Sequence, residues 1–110
     1  MDMRERGRVA LPPVRVPHPH VESKDDVMNG SPCVRGTRVP VRRLWSWHRR
    51  GTTIETLLKR YPQLGPAKVL DALAFAYDNE ELMKVDLERE SEALESEQIP
   101  KDPKQAKLPF

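Results

Sequence analysis

The residues best suited to chemistry in this chain are arginines. Arg35 and Arg38 flank Gly36-Thr37, and Arg42, Arg43, Arg49 and Arg50 follow within a short stretch. A glycine lets the backbone turn with positive φ, so the two flanking arginines project close together. Planar guanidinium groups placed this way suit a phosphate or a carboxylate, which they bind in bidentate fashion. Two readings follow: a ligand clamp, or a turn that pins an extended segment to its neighbours. With Lys59 and Lys68, these six arginines form the set expected to neutralise duplex phosphates, giving binding that weakens steeply with salt. A solvated basic face is the alternative for the same residues.

Other reactive side chains are sparse. His18-Pro19-His20 places two potential metal ligands in a proline-rich stretch with no second cysteine nearby, a weak metal pattern. Cys33, the single cysteine, lies between Pro32 and Val34 and reads as a small buried hydrophobe; one cysteine excludes an internal disulfide. No paired carboxylates, metal cluster or nucleophile with a correctly spaced base converge, so no catalytic residue, metal or cofactor is assigned.

The elements that must position these arginines fit into one small domain. The chain has 110 residues, 37% hydrophobic, 5% aromatic and 33% charged, with 11 prolines. That composition supports one core and leaves part of the chain too polar to offset its ordering entropy. The net charge of +2 conceals opposite halves: residues 1–60 carry 13 Lys/Arg against 6 Asp/Glu, a net +7, and residues 61–110 carry 6 against 11, a net −5. A basic front and an acidic back imply two kinds of partner. No apolar run approaches membrane-spanning length, and the expected setting is cytoplasmic, with nucleoid association if DNA is bound.

Residues 1–20, with Pro12, Pro13, Pro17 and Pro19, read as a flexible basic arm. Val21 to Val41, punctuated by Gly30, Pro32, Gly36 and Pro40, reads as short extended pieces around a turn. Val41, Leu44, Trp45 and His48 then fall at helical spacing and predict a first helix to Arg50, stopped by Gly51. Trp47 lies off that face, where a second subunit would cover it. Thr52 and Glu55 form a capping-box pattern before Ile54, Leu57, Leu58 and Tyr61, the stripe of a second helix that Pro62 ends. Pro66 starts a third, whose stripe is Val69, Leu70, Leu73, Ala74 and Tyr77. Residues 78–98 hold an acidic helical segment, either an extension of the third helix or a helix completed by a partner. Residues 99–110 read as a second flexible tail.

Three pieces carry a family likeness: Gly30-Ser31-Pro32-Cys33-Val34-Arg35-Gly36-Thr37-Arg38-Val39-Pro40-Val41, Tyr61-Pro62-Gln63-Leu64, and Ala72-Leu73-Ala74-Phe75-Ala76-Tyr77. They resemble the antitoxin-like family known as domain of unknown function four-three-three, of VapB-type character. The resemblance implies a mainly α fold, a small three-helix homeodomain-like helix-turn-helix over residues 21–77 preceded by short extended segments. It further implies a DNA-binding antitoxin that represses its own operon beside a ribonuclease-like toxin of PIN fold. The arm and the tail lie outside that pattern.

On this reading the second and third helices form the helix-turn-helix. The outward positions of the third, Ala67, Lys68, Asp71 and Ala72, are poor readers of base edges, so the arginines carry the affinity. Arg38→Ala and Arg42→Ala/Arg43→Ala are expected to weaken duplex binding with helicity intact. The acidic segment would present Leu82, Val85, Leu87 and Leu94 to the toxin, ordering as it binds. So small a core, and the habit of helix-turn-helix units on DNA, lead to an expected homodimer. The alternative is a protein-interaction adaptor on the same fold. Its Gln105-Ala106-Lys107-Leu108-Pro109-Phe110 is similar to peptides that dock on the replication sliding clamp, through Gln105, Leu108 and Phe110.

Overall fold

The computed structural model describes residues 10–98, with side chains as far as residue 91. Two short strands, β1 (Val21–Glu22) and β2 (Cys33–Val34), pair antiparallel with Val21 opposite Val34 and Glu22 opposite Cys33. Four helices follow among the described residues: α1 (Val41–Arg49), α2 (Ile54–Arg60), α3 (Gly65–Asp78) and α4 (Glu80–Gln98). The fold is mainly helical, as the periodicity predicts.

Local signals explain the boundaries. Pro40 precedes α1, and Gly51 leaves it with φ +94°, a conformation suited to glycine. The cap of α2 is Thr53, whose hydroxyl accepts the Thr56 amide at 3.1 Å, one residue beyond the predicted Thr52–Glu55 box. Tyr61-Pro62 ends α2, and Pro66 sits in the first turn of α3.

Helix α3 is the central element: it packs on α1, α2 and α4 and touches both strands. It buries Val69, Ala72, Leu73, Phe75 and Ala76. This corrects the predicted stripe, because Leu70 is 51% and Tyr77 55% exposed. The helix is apolar nearly all round, so periodicity alone could not choose its buried face.

A break at Asn79 separates α3 from α4, so the acidic segment is neither an extension of α3 nor unpacked. Leu82 and Met83 enter the main core beside Val41, Leu44 and Phe75. Asn79 also captures the arm. Its Oδ1 accepts the Arg15 and Val16 amides at 2.7 and 3.0 Å, and its Nδ2 donates to the Val16 and Phe75 carbonyls, both at 2.9 Å. The end of the predicted flexible arm is therefore held against the helices. No described helix is long and apolar enough to cross a membrane.

Candidate nucleic-acid interface

The C-terminal ends of α1 and α2 converge on one aromatic ring. Arg60 lays its guanidinium 4.2 Å from the centre of the Trp47 ring, and Arg50 lies 5.8 Å from the same centre. Trp47 is half-buried against the core, which fixes the ring. A guanidinium stacked on indole keeps its N–H edge free, so the stack orients Arg60 for an oxyanion before one arrives. Arg49 stands over Trp45 at 5.7 Å, and Lys59 is exposed beside Arg60. None of Arg49, Arg50, Lys59 and Arg60 has a described carboxylate within ion-pair distance, although Glu80 and Glu81 line the same cavity as Arg49.

The remaining predicted contacts divide. Arg38 and Arg43 are exposed; Arg43 has Glu90 as a distant neighbour at 3.9 Å. Lys68 is half-buried on α3. Arg35 performs the pinning alternative: it donates to the Pro19 carbonyl at 2.9 Å, to Glu22 at 3.1 Å and to the Val21 carbonyl at 3.3 Å. Gly36, at φ +80°, turns its amide onto the other Glu22 oxygen at 2.9 Å. That backbone hydrogen bond, helped by the Lys24 and Arg35 charges, holds the Glu22 carboxyl below its ordinary range.

Arg42 must be removed from the contact set. It is 9% exposed and donates to Ser31 Oγ at 2.8 Å and to Asp86, itself fully buried, at 3.3 Å. Glu90 lies 3.0 Å from Arg42 Nε, close enough to neutralise the charge but out of line for a hydrogen bond. Ser31 in turn donates to Asp86 at 2.7 Å. The network ties α1 to α4 and leaves the Arg42 side chain, 11% exposed, little surface to offer a phosphate.

Helix α3 offers little to base edges. Ala72 is buried, Asp71 accepts from the His18 ring and the His20 amide, and the outward face is Ala67, Leu70, Ala74 and Tyr77. The Tyr77 hydroxyl is paired with His48 Nε2 at 2.7 Å. The partner-binding set also needs correction: Leu82, 4% exposed, belongs to the core, and Leu87 packs on it half-buried, as Val85 is. Leu94 lies in α4 beyond the described side chains; Gln105, Leu108 and Phe110 lie outside the described residues.

His18 has a role different from metal binding. Nδ1 lies 2.7 Å from Asp71 and Nε2 2.7 Å from Asp78. Only the imidazolium can donate to both carboxylates. The Asp71 hydrogen bond raises the His18 pKa above 6.5 against the opposing effect of burial, with Asp78 adding to it. Burial pushes the Asp71 carboxyl up, but the His18 and His20 hydrogen bonds outweigh it and its pKa lies below the ordinary value. Among the described residues no group of three or more His, Cys, Asp or Glu is placed to hold a metal ion. Cys33 is buried as expected, and burial pushes its thiol pKa up.

Sequence reasoning missed Arg60, Asn79 and the carboxylate partners of Arg42 and His18. For Arg60 the available signal was the basic last turn of α2, following the basic last turn of α1 after a short link.

With this geometry the chain falls into a class of small, mainly helical domains opened by a short hairpin. Residues 21–76 match the family described as "Protein of unknown function (DUF433)", and the chain belongs to that family. It is similar to the uncharacterized protein y4eO of Sinorhizobium fredii, 37% identical over 59 residues, which make up 54% of this chain and 27% of that protein. The match thus spans about a quarter of that relative. The fold is also similar to the crystal structure of a DUF433 member protein from Anabaena variabilis, with a TM-score of 0.58 and 25% identity over 61% of this chain and 66% of that one.

Proposed function

We propose that this protein is a non-catalytic, DNA-binding protein of the antitoxin type, gripping duplex phosphates through the arginine–tryptophan face at the ends of α1 and α2. The observation that carries the reading is the Arg50–Trp47–Arg60 stack, flanked by Arg49 and Lys59, with no described carboxylate paired to any of them. A basic surface whose cations have no described ion pair is open to an anion, and a rigid aromatic base lowers the ordering cost of binding one. This face takes the role assigned to α3 in the helix-turn-helix expectation. The antitoxin part rests on the family resemblance: operon repression through the basic front, and restraint of a PIN-like ribonuclease through the acidic end of α4 and the residues beyond it.

The test is duplex affinity by fluorescence anisotropy across a salt series, with promoter-proximal DNA from the native host. Arg50→Ala/Arg60→Ala should reduce the salt slope by about 2, since each phosphate contact contributes about 0.9. Arg35→Ala should leave it unchanged. Absence of salt-dependent binding by the folded wild type would refute the DNA reading. The toxin reading is tested by co-purification from the host against a chain ending at Ser91, because an earlier stop removes core residues. Loss of a small ribonuclease with the truncation supports it, and equal recovery overturns it.

A further inference from the structure

Helix α3 carries an apolar face that the rest of the described chain does not cover. Ala67, Leu70, Ala74 and Tyr77 recur at spacings of three, four and three and are all exposed. Tyr77 is held in place from behind: its ring packs edge-on against Trp45 at 4.6 Å and its hydroxyl is tied to His48. Val16 of the arm, 41% exposed, lines the same cavity as Tyr77 and extends the apolar surface. An exposed tyrosine fixed in place has the composition of an interface anchor.

We infer that this face binds a second copy of the same chain, with the two α3 helices antiparallel about a two-fold axis level with residue 72. Two independent patterns select that arrangement. The first is size. Antiparallel pairing sets Leu70 against the second copy's Ala74 and Tyr77 against its Ala67, so each large side chain meets a small one. Parallel pairing would oppose leucine to leucine and alanine to alanine, leaving clashes and gaps.

The second pattern is charge. Lys68 stands near the start of the face, and Glu80 and Glu81 stand exposed at its end, next to Asp78, whose charge is already met by His18. Antiparallel pairing brings the Lys68 turn of each copy alongside the acidic end of the other, whereas parallel pairing would set the acidic ends together. A two-fold contact of one patch with itself also closes the assembly at two copies. The inference stands independently of the DNA reading.

Sedimentation velocity of the full chain over a wide concentration range tests it. The wild type should show a monomer–dimer equilibrium, and Leu70→Glu should weaken the dimer by at least about tenfold, with helicity unchanged because the position is exposed. Orientation is read by oxidising a mixture of Leu70→Cys and Ala74→Cys proteins. The antiparallel dimer gives a disulfide joining the two different variants; the buried Cys33 of the wild type provides the control. A wild type that stays monomeric, a dimer indifferent to Leu70→Glu, or disulfides joining only like variants would each overturn the proposal.

Discussion

Asp86→Ala should be among the most damaging single substitutions in the domain. Asp86 is fully buried, accepts from Ser31 at 2.7 Å and Arg42 at 3.3 Å, and has Arg89 at 3.6 Å. Removing one partner of a buried ion pair costs about 3–5 kcal/mol, because the other charge stays in a poorly solvating interior. Glu90, 3.0 Å from Arg42 Nε, still neutralises part of that charge, which places the expected loss near the lower limit, about 3 kcal/mol. Against a typical total of about 5–15 kcal/mol, that removes a large share of the stability. The double variant Arg42→Met/Asp86→Leu removes both charges and fills the space with apolar atoms but leaves the buried Ser31 hydroxyl without its acceptor, so it should lie about 1–3 kcal/mol below wild type, well above the sum of its singles. Urea unfolding followed by circular dichroism, arranged as a double-mutant cycle, measures both quantities. A cost below about 1 kcal/mol for Asp86→Ala, or a double variant no better than the sum of its singles, would refute the reasoning. The same geometry revises the expectation for Arg42→Ala, whose effect on duplex binding should arrive through lost folding.

The His18 latch predicts a pH dependence of definite sign. Its pKa is raised above 6.5, so the stabilisation is complete below about that pH and is lost as pH rises through the folded-state value. His18→Gln should therefore cost about 1.5 kcal/mol in mild acid, counting only the less exposed Asp71 contact, and little in mild base. Urea midpoints at the two pH values check this, and a pH-independent difference would count against it. Gly36→Ala meets no atom within 4 Å but must hold φ +80°, so it should cost about 1 kcal/mol by thermal unfolding with the fold retained. A stabilised variant would show that the turn relaxes.

Much of the fold was legible because local signals agreed: apolar period, glycine stops and prolines at helix starts all marked α1, α2 and α3. What escaped was everything decided by distant partners. Arg42 reads as one more exposed arginine until α4 brings Asp86 and Glu90 to it, across sequence separations that no local pattern encodes. The phase of α3 was ambiguous because Leu70 and Tyr77 are as apolar as the residues that won the core. The end of the arm looked unstructured because prolines predict no repeating hydrogen bonds, whereas residues 15–20 are held by side chains distant in sequence, Asn79, Asp71, Asp78 and Arg35. Of the candidate site, the arginines at the end of α1 were legible and Arg60 was not, since cation–π stacking depends on how two helices pack.

The Asn79 clamp also bears on how the domain assembles in time. It joins Val16 to a position 63 residues later, so its hydrogen bonds form only after a long loop has closed, an entropic cost of about 4 kcal/mol for an unstructured chain. Helix pairs connected by short links meet no such barrier and should form first. The Arg15 and Val16 amides should accordingly exchange with solvent through a partial opening that leaves the helical core closed, while core amides of α3 await global unfolding. The stretch around Arg15 and Val16 would be the last to lock and the first to come undone.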